Sequence, residues 1–355
     1  MVLPGKALSG DETECPTRHI EKCLAHEPVV VEGILGHRPH FRPIGLVSVS
    51  PSCFTRAVRL VTRPDLDGLT CAALLSHCET VDSFELVHPQ RVRDGEVDVG
   101  EDDILVNVPY RPACGMWFDN HLLTDAQSTP PRDYRGRYGQ APSAARLVYE
   151  HYAPTHPELA RYEELVRETD RLDSAQLELS DVLSPKGYTL LGFTLDSKSG
   201  LGDPREYFLE LVPVITTKSI QEVMELPSVR ERAARLKEQD RHFREAAVAH
   251  SRLDGPLIIT DFRSLDPLPI GNRFLIYTVF PNATLSLRIQ RGRAPDTVSV
   301  SGGRSIFNRT SRANIGIVMS PYGGGGQPGA GACVLRAATA DAEIAEIVAA
   351  LKRHA

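Results

Sequence analysis

The stretch VTRPDLDGLTCAALL, residues 61–75, predicts the fold of the chain. An apolar run ends at Pro64, two aspartates follow at Asp65 and Asp67, and Gly68 begins a segment of helical composition. This pattern is typical of a parallel strand, an acidic turn and a helix. Ligands of open α/β sheets bind where such strands end, so both carboxylates could face one cation, with a phosphate at the helix start. On this stretch alone, helix capping or a solvated loop is an equal alternative for the two aspartates.

The composition is that of a globular protein with more than one domain. A chain of 355 residues is longer than chains that usually fold around a single hydrophobic core. Its net charge of −6 argues against general nucleic-acid or membrane-surface binding. The seven cysteines include no C-x-x-C pair, which indicates reduced thiols and a cytoplasmic location. We expect no signal peptide, since the first residues lack an apolar core, and no membrane span.

Between residues 55 and 185, apolar strands alternate with helical segments, which is typical of a doubly wound, mainly parallel sheet. Strands are predicted at 57–61, 84–87, 104–108 and 116–118, and helices at 68–80, 141–152 and 158–171. Residues 186–217 read as a mixture of strands and turns. Residues 219–251 read as helices that are capped by Ser219, broken at Pro227 and better suited to a connection than to a core.

The C-terminal part predicts a second, smaller α/β domain. Short strands are expected at 256–260, 273–280, 283–289 and 297–301, and an amphipathic helix from Asp341 closes the chain. The predicted organisation is an extension over 1–54, a first domain over 55–217, a helical linker over 218–252 and a second domain over 253–355.

Three further motifs carry groups suited to metal or phosphate chemistry. WFDNH (117–121) places an aspartate and a histidine after another strand, at the same sheet edge as the acidic turn. ETDRLD (168–173) offers Asp170 or Asp173, and YGGGGQPGAGA (322–332) offers backbone amides that an anion can approach closely. Taken singly, each motif is better explained as a loop histidine, a helix-end charge or a flexible turn.

In this order the motifs resemble those of the DHH phosphoesterase superfamily. That family includes exopolyphosphatases, family II inorganic pyrophosphatases, RecJ-like exonucleases and nano-RNA phosphatases. The resemblance covers residues 57 to 355. It implies a doubly wound DHH domain that carries two metals, commonly manganese, and a DHH-associated domain that holds the substrate, with the cleft between them.

The resemblance implies specific roles, with substitutions. Asp65 and Asp67 match the aspartates of the first motif, Arg63 stands in place of its histidine, and Asn107 falls on the aspartate that bridges the metals. Arg63 and Asn107 resemble features of an exopolyphosphatase-like branch. Asp119, Asn120 and His121 match the Asp-His-His motif with its first histidine changed to an amide. Asp170 best matches the fourth motif, with Asp173 as the less favoured choice. The implied metal ligands are Asp65, Asp67, Asn107, Asn120 and Asp170, and the implied catalytic residues are Arg63, Asp119 and His121.

These substitutions favour a changed metal site. A site with oxygen ligands and few carboxylates suits Mg²⁺ better than an imidazole-rich Mn²⁺ pair. The hypothesis is that one divalent metal remains and that Arg63 supplies the second positive charge. His121 would contact the substrate or protonate the leaving oxygen.

An arginine-rich segment in the second domain predicts phosphate binding. Six arginines lie between residues 288 and 312 against a single acid, although strand charges facing solvent are an alternative. The predicted substrate ligands are Arg288, Asn308, Arg309, Gly323, Gly324, Gly325, Gly326 and Gln327, the last in place of the family's histidine.

The preferred function is therefore an exopolyphosphatase-like phosphoester or phosphoanhydride hydrolase that uses Mg²⁺ or Mn²⁺. Its partner would be a phosphate-containing small molecule, polyphosphate or a short oligonucleotide, and a homodimer is left open. Few aromatic residues adjoin the motifs, which favours polyphosphate or a small phosphoester. The alternatives are a non-catalytic phosphate or nucleotide sensor, favoured by Asn120 and Gln327, and a nano-RNA phosphodiesterase.

Overall fold

The computed structural model of the protein describes residues 57–121, 123, 129–196 and 199–353. The predicted N-terminal extension lies outside these ranges. None of the described helices combines the length and the apolarity that crossing a bilayer requires. The four cysteines within the described ranges, Cys71, Cys78, Cys114 and Cys333, are free thiols.

The first sheet confirms the predicted doubly wound parallel fold. Its strands run β2-β1-β3-β4-β5, and every neighbouring pair is parallel. All residues of β3 and β4 are buried, which explains why both strands read as apolar runs without alternation. The strands are β1 (Val58–Thr62), β2 (Val81–Leu86), β3 (Asp103–Val106), β4 (Met116–Asp119) and β5 (Gly136–Tyr138).

Seven helices of the described residues accompany this sheet. They are α1 (Leu66–Cys78), α2 (Pro89–Arg93), α3 (Ala144–Tyr152), α4 (Glu163–Asp173), α5 (Leu179–Leu183), α6 (Gly187–Leu195) and α7 (Arg205–Ile215). Helix α1 begins two residues earlier than predicted because Asp65 caps it, with Oδ1 accepting the Gly68 N–H at 2.9 Å. A Cβ at Gly68 would lie 2.0 Å from the Arg63 carbonyl oxygen, so glycine allows the acidic turn to close this tightly.

The prediction of strands and turns over residues 186–217 is wrong, because α6 and α7 occupy most of this segment. No residue of α6 is exposed, so the helix has no polar face and its sequence carries no helical periodicity. The strand predicted at 273–280 is also wrong, since helix α10 (Leu275–Val279) lies there with its first three residues buried. A short apolar run cannot be separated from a buried helix by periodicity alone.

Two helices join the first sheet to the second. Helix α8 (Ile220–Met224) begins at the predicted cap, Ser219, whose Oγ accepts the Glu222 N–H. Helix α9 (Pro227–His250) begins at the predicted break. It is also a core element, because Leu236, Phe243 and Ala247 are buried in one cluster that takes residues from both parts of the chain.

The second sheet is mixed, with strand order β10-β11-β9-β8-β7-β6 and one parallel pair, β7 with β8, among its described strands. Its strands are β6 (Ser251–Asp254), β7 (Leu257–Asp261), β8 (Leu285–Arg291), β9 (Thr297–Arg304), β10 (Gly325–Gln327) and β11 (Ala330–Arg336). Helices α11 (Ile315–Met319) and α12 (Ala340–Arg353) pack on it. The predicted second α/β unit and its closing helix are confirmed, whereas the domain boundaries stay predictions.

Candidate functional site

The carboxyl ends of β1, β3 and β4 bring the predicted polar residues to one sheet edge. Asp65 follows β1, Asn107 follows β3, and Asp119 is the last residue of β4. Asn107 has a φ of 56°, a left-handed conformation that asparagine adopts more readily than most residues. It is fully buried, and its Nδ2 donates to Asp65 Oδ1 at 3.0 Å. The turn after β3 is thus built to hold this amide against the acidic turn.

Arg63 completes a three-residue network with Asp65 and Asn107. One guanidinium nitrogen lies 3.0 Å from Asp65 Oδ2, and the other donates to Asn107 Oδ1 at 3.3 Å. The charge of Asp65 raises the pKa of Arg63 against the opposing effect of burial. A fixed positive charge therefore stands at the acidic edge of the sheet.

Asp67 is buried beneath this network, with 2% of its surface exposed. Its two carboxylate oxygens accept the N–H groups of Ala144, at 3.0 Å, and Ala145, at 2.8 Å, from the first turn of α3. Burial raises the pKa of Asp67 well above its usual range, and the charges of Asp173 and Asp65 raise it further. An acid in this position is stabilised in its charged form by a nearby cation.

His121 is oriented by Asp119. Its Nδ1 lies 2.8 Å from Asp119 Oδ1, and this hydrogen bond is the largest cause of the raised pKa of the histidine. Asp119 is buried, whereas the His121 side chain is 41% exposed. The contact with Asp119 leaves Nε2 as the ring nitrogen on the opposite side.

The two acids of the fourth motif have different surroundings. Asp170 accepts a hydrogen bond from Ser143 Oγ at 2.6 Å and forms an ion pair with Arg146 at 2.5 Å. Its carboxylate therefore holds the first turn of α3 in place. Asp173 instead lies in the field of Asp65 and hydrogen-bonds Asn120. Desolvation by the surrounding groups and then the charge of Asp65 raise the pKa of Asp173, although part of the residue's surface is exposed. The structure brings Asp173, rather than the preferred Asp170, to the acidic network.

A cavity of about 960 Å³ opens beside Asp173. Its walls come from the ends of α4 and α6, from α9, from the segment leading into α10, and from β8, β9 and the β10–β11 hairpin. Aromatic side chains form part of the wall: Phe193, Phe243, Phe274 and Tyr277. The motifs predict few aromatic residues near the cleft, and this prediction is corrected. The aromatic residues of the wall come from segments far from the motifs in sequence.

Among solved structures, a pGpG-specific phosphodiesterase, PggH from Vibrio cholerae, is similar at 34% identity. The match covers 84% of this chain and 100% of that chain, with a TM-score of 0.72. The chain belongs to the DHH phosphoesterase superfamily. A manganese-bound exonuclease RecJ shares the fold at 14% identity over 84% of this chain and 90% of its own, with a TM-score of 0.51. Neither protein-family models nor curated protein sequences give a match. This DHH protein is a phosphoester hydrolase.

The DHH protein places three of the predicted substrate ligands in the cavity wall, namely Arg288, Arg309 and Gln327. Arg309 is already engaged, because its guanidinium donates to the carbonyl oxygens of Ala175 and Ile306 at 2.7 and 2.8 Å. Asn308 is not among the lining residues, and its Nδ2 donates to the Asn282 carbonyl oxygen at 3.2 Å.

The glycine run differs from the predicted open anion loop. Gly323 ends a 3-10 turn with a φ of 70°, and Gly325 and Gly326 belong to β10, which pairs with β11. A Cβ at Gly324 would lie 2.2 Å from the Ala332 carbonyl oxygen, and one at Gly326 would lie 2.3 Å from that of Ala330. These glycines therefore permit close packing of a hairpin. None of residues 323–326 lines the cavity.

Among the polar residues that line the cavity, Asn272, Arg273 and Arg304 have no role in the prediction from sequence. Asn272 and Arg273 stand at the start of an apolar run that reads as a strand. Their polar side chains are the only feature of the sequence that could have indicated a role in binding. Arg304 belongs to the arginine-rich segment but is not among the predicted substrate ligands. Arg304 is the last residue of β9 and lines the cavity.

The acidic network offers oxygen donors that suit a hard cation. Among the described residues, no three His, Cys, Asp or Glu side chains converge closely enough to hold a metal by themselves. The carboxylates of Asp65, Asp67 and Asp173 nevertheless share one electrostatic environment. The buried Oδ1 of Asn120 has no hydrogen-bond partner within the described ranges. An oxygen-rich donor set of this kind fits Mg²⁺ or Mn²⁺.

Proposed function

We propose that this DHH protein is a phosphodiesterase that hydrolyses short linear dinucleotides of the pGpG type. The observation that carries the proposal is the cavity, which joins an acid at the end of α4, Asp173, to a half-buried guanidinium on β8, Arg288. Its volume of about 960 Å³ lies at the upper end of the range for small-molecule sites. The similarity to PggH over that protein's whole chain supports the substrate class.

The apolar part of the cavity wall favours a nucleotide over polyphosphate. The edges of Phe193 and Phe274 and the half-buried Ala175 and Ile306 give the cavity an apolar side that a chain of phosphates does not need. A nucleobase, in contrast, gains stability from contact with an apolar wall. We therefore replace the exopolyphosphatase-like preference with a dinucleotide preference.

We assign a divalent cation to the edge of the acidic network, with Asp67, Asp173 and the Oδ1 of Asn120 as its ligands, because Asp65 is already paired with Arg63 and bonded to Asn107. Asp173 takes the role that the resemblance implies for Asp170, because the Asp170 carboxylate is held by Ser143 and Arg146. When bound, such a cation supplies positive charge against the negative charge that develops on the phosphate oxygens.

The protein's own groups complete the reaction. Arg63, held by Asp65 and Asn107, offers a fixed guanidinium to a nonbridging phosphate oxygen. A water molecule attacks phosphorus and releases a proton to solvent, and the P–O bond to the leaving oxygen breaks. His121 donates a proton from Nε2 to that leaving oxygen, while Asp119 keeps the ring oriented through Nδ1. The apolar side of the cavity wall holds the bases.

The proposal is tested by hydrolysis assays on pGpG, pApA and polyphosphate with Mg²⁺ or Mn²⁺. We expect cleavage of the dinucleotides, loss of activity with a chelator, and a fall of at least about 100-fold in kcat for Asp173→Asn. The matched control is Asp133→Asn, an exposed acid outside the cavity. A preference for polyphosphate, or full activity of Asp173→Asn, would overturn the proposal.

A further inference from the structure

The turn that ends α4 has a backbone conformation that alanine rarely adopts. Ala175 has a φ of 53°, in the left-handed region. Its N–H donates to the Leu172 carbonyl oxygen at 3.1 Å. The next N–H, that of Gln176, donates to the Arg171 carbonyl oxygen at 2.7 Å. These two hydrogen bonds form a Schellman motif, in which glycine is the usual left-handed residue. Because alanine is less stable than glycine in this conformation, contacts from outside the turn have to hold it.

Arg309 provides such a contact from the part of the chain that contains the second sheet. It follows β9, and one of its guanidinium nitrogens donates to the Ala175 carbonyl oxygen at 2.7 Å. Its Nε donates to the Ile306 carbonyl oxygen at 2.8 Å, which fixes the plane of the guanidinium. Ala175, Ile306 and Arg309 all line the cavity. A charged hydrogen-bond donor therefore joins two opposite walls of the cavity.

The turn that Arg309 contacts also carries Asp173. This acid is the last residue of α4 and lies two residues before Ala175. Between them, Ser174 bonds to the Asp170 carbonyl oxygen through its N–H, at 3.1 Å, and its Oγ, at 2.6 Å. The backbone from Asp173 to Ala175 is thus held at each residue, and a shift of Ala175 would move the Asp173 carboxylate.

From these contacts we infer that Arg309 is a positioning residue for the divalent cation. It holds the turn after α4, and with it the Asp173 carboxylate, in the place where the cation binds. The inference rests on the proposed function for the cation site, and it adds that a residue beside the second sheet controls the affinity of that site. It also replaces the role of substrate ligand that the sequence predicts for Arg309. Since coupling between two sites is reciprocal, the bound cation must also stabilise the contact of Arg309.

Calorimetry of Mn²⁺ binding to the dialysed chain is the first test. Arg309→Met should weaken Mn²⁺ binding by about 10-fold, a loss typical of groups that orient a ligand without touching the metal. Arg309→Lys keeps one charged donor and should recover part of this loss. The matched control is Arg312→Met, at an exposed position outside the cavity, which should bind Mn²⁺ as wild type does. Equal affinities of wild type and Arg309→Met would overturn the inference.

Hydrogen exchange gives a readout that a general loss of stability would not produce. In wild type, Mn²⁺ should slow amide exchange in residues 305–309, which contribute no ligand to the cation. This effect should persist in Arg312→Met and disappear in Arg309→Met. Exchange over 305–309 that does not respond to Mn²⁺ in wild type would contradict the coupling.

Kinetics on pGpG separate positioning from contact with the substrate. If Arg309 positions Asp173, excess Mn²⁺ should restore most of the kcat/KM that Arg309→Met loses. If Arg309 instead binds the substrate, the variant keeps its Mn²⁺ affinity and shows a raised KM that excess Mn²⁺ does not lower, and the inference fails. A wild type that does not hydrolyse pGpG, together with weakened Mn²⁺ binding in Arg309→Met, would refute the proposed function and leave this inference standing.

Discussion

A guanidinium nitrogen of Arg63 lies 3.0 Å from the Oδ2 of Asp65. The same guanidinium donates to Asn107, whose amide in turn donates to the other oxygen of Asp65. By the resemblance, position 63 would hold a histidine ligand and position 107 an aspartate ligand of the metals. In this chain position 63 holds the positively charged Arg63 and position 107 holds the neutral Asn107. This network is the physical basis for proposing one divalent ion in place of two.

Restoring the two family residues should restore the second ion. We expect Arg63→His combined with Asn107→Asp to raise the bound Mn²⁺ from one to two ions per chain, because a repelling charge is replaced by two ligands. Elemental analysis of the dialysed protein measures the ratio. Arg63→Lys, which keeps the charge, should stay at one ion. Two ions in wild type would contradict the single-ion interpretation.

Asp170→Asn should lower stability because the Asp170 carboxylate bonds Ser143 and pairs with Arg146 at the start of α3. We expect the free energy of unfolding to fall by about 1–3 kcal/mol, measured by urea titration without metal. Asp133→Asn, at an exposed position, serves as the control and should change it by less than about 0.5 kcal/mol. An unchanged midpoint for Asp170→Asn would speak against this structural role.

Phe243→Ala should strongly destabilise the protein. The ring is 1% exposed and packs edge-on against Phe262, with a centroid distance of 5.9 Å, in the core cluster shared by both parts of the chain. We expect a loss of about 3–5 kcal/mol in the free energy of unfolding, from the cavity that remains. Phe243→Leu should lose much less. Similar losses for both variants would show that ring volume is not what matters there.

Gly316→Ala should disturb the β10–β11 hairpin. A Cβ at this position would lie 2.3 Å from the Gly326 carbonyl oxygen, so the backbone has to shift. We expect the free energy of unfolding to fall by about 1–3 kcal/mol. Gly329→Ala, where no atom lies within 4 Å of the added Cβ, is the matched control. Equal melting temperatures for the two variants would exclude this close approach.

The chain's local pattern determined the parallel sheet and the acidic turn. Apolar runs such as β3 and β4, and the Asp65 cap before α1, depend on residues that are near in sequence, so their signals are present in the linear pattern. The motif order was likewise sufficient to place Asp65, Asn107 and Asp119 at one sheet edge, since the C-terminal ends of parallel strands meet there.

Tertiary packing decided the rest. Asp170 and Asp173 stand three residues apart on α4, and only the docking of α3 assigns the first to Arg146 and leaves the second to the acidic network. The buried α6 has no polar face from which its helical period could be read. The cavity takes Phe193, Phe243 and Arg288 from separate elements, and no local pattern encodes a contact between residues so far apart in the chain.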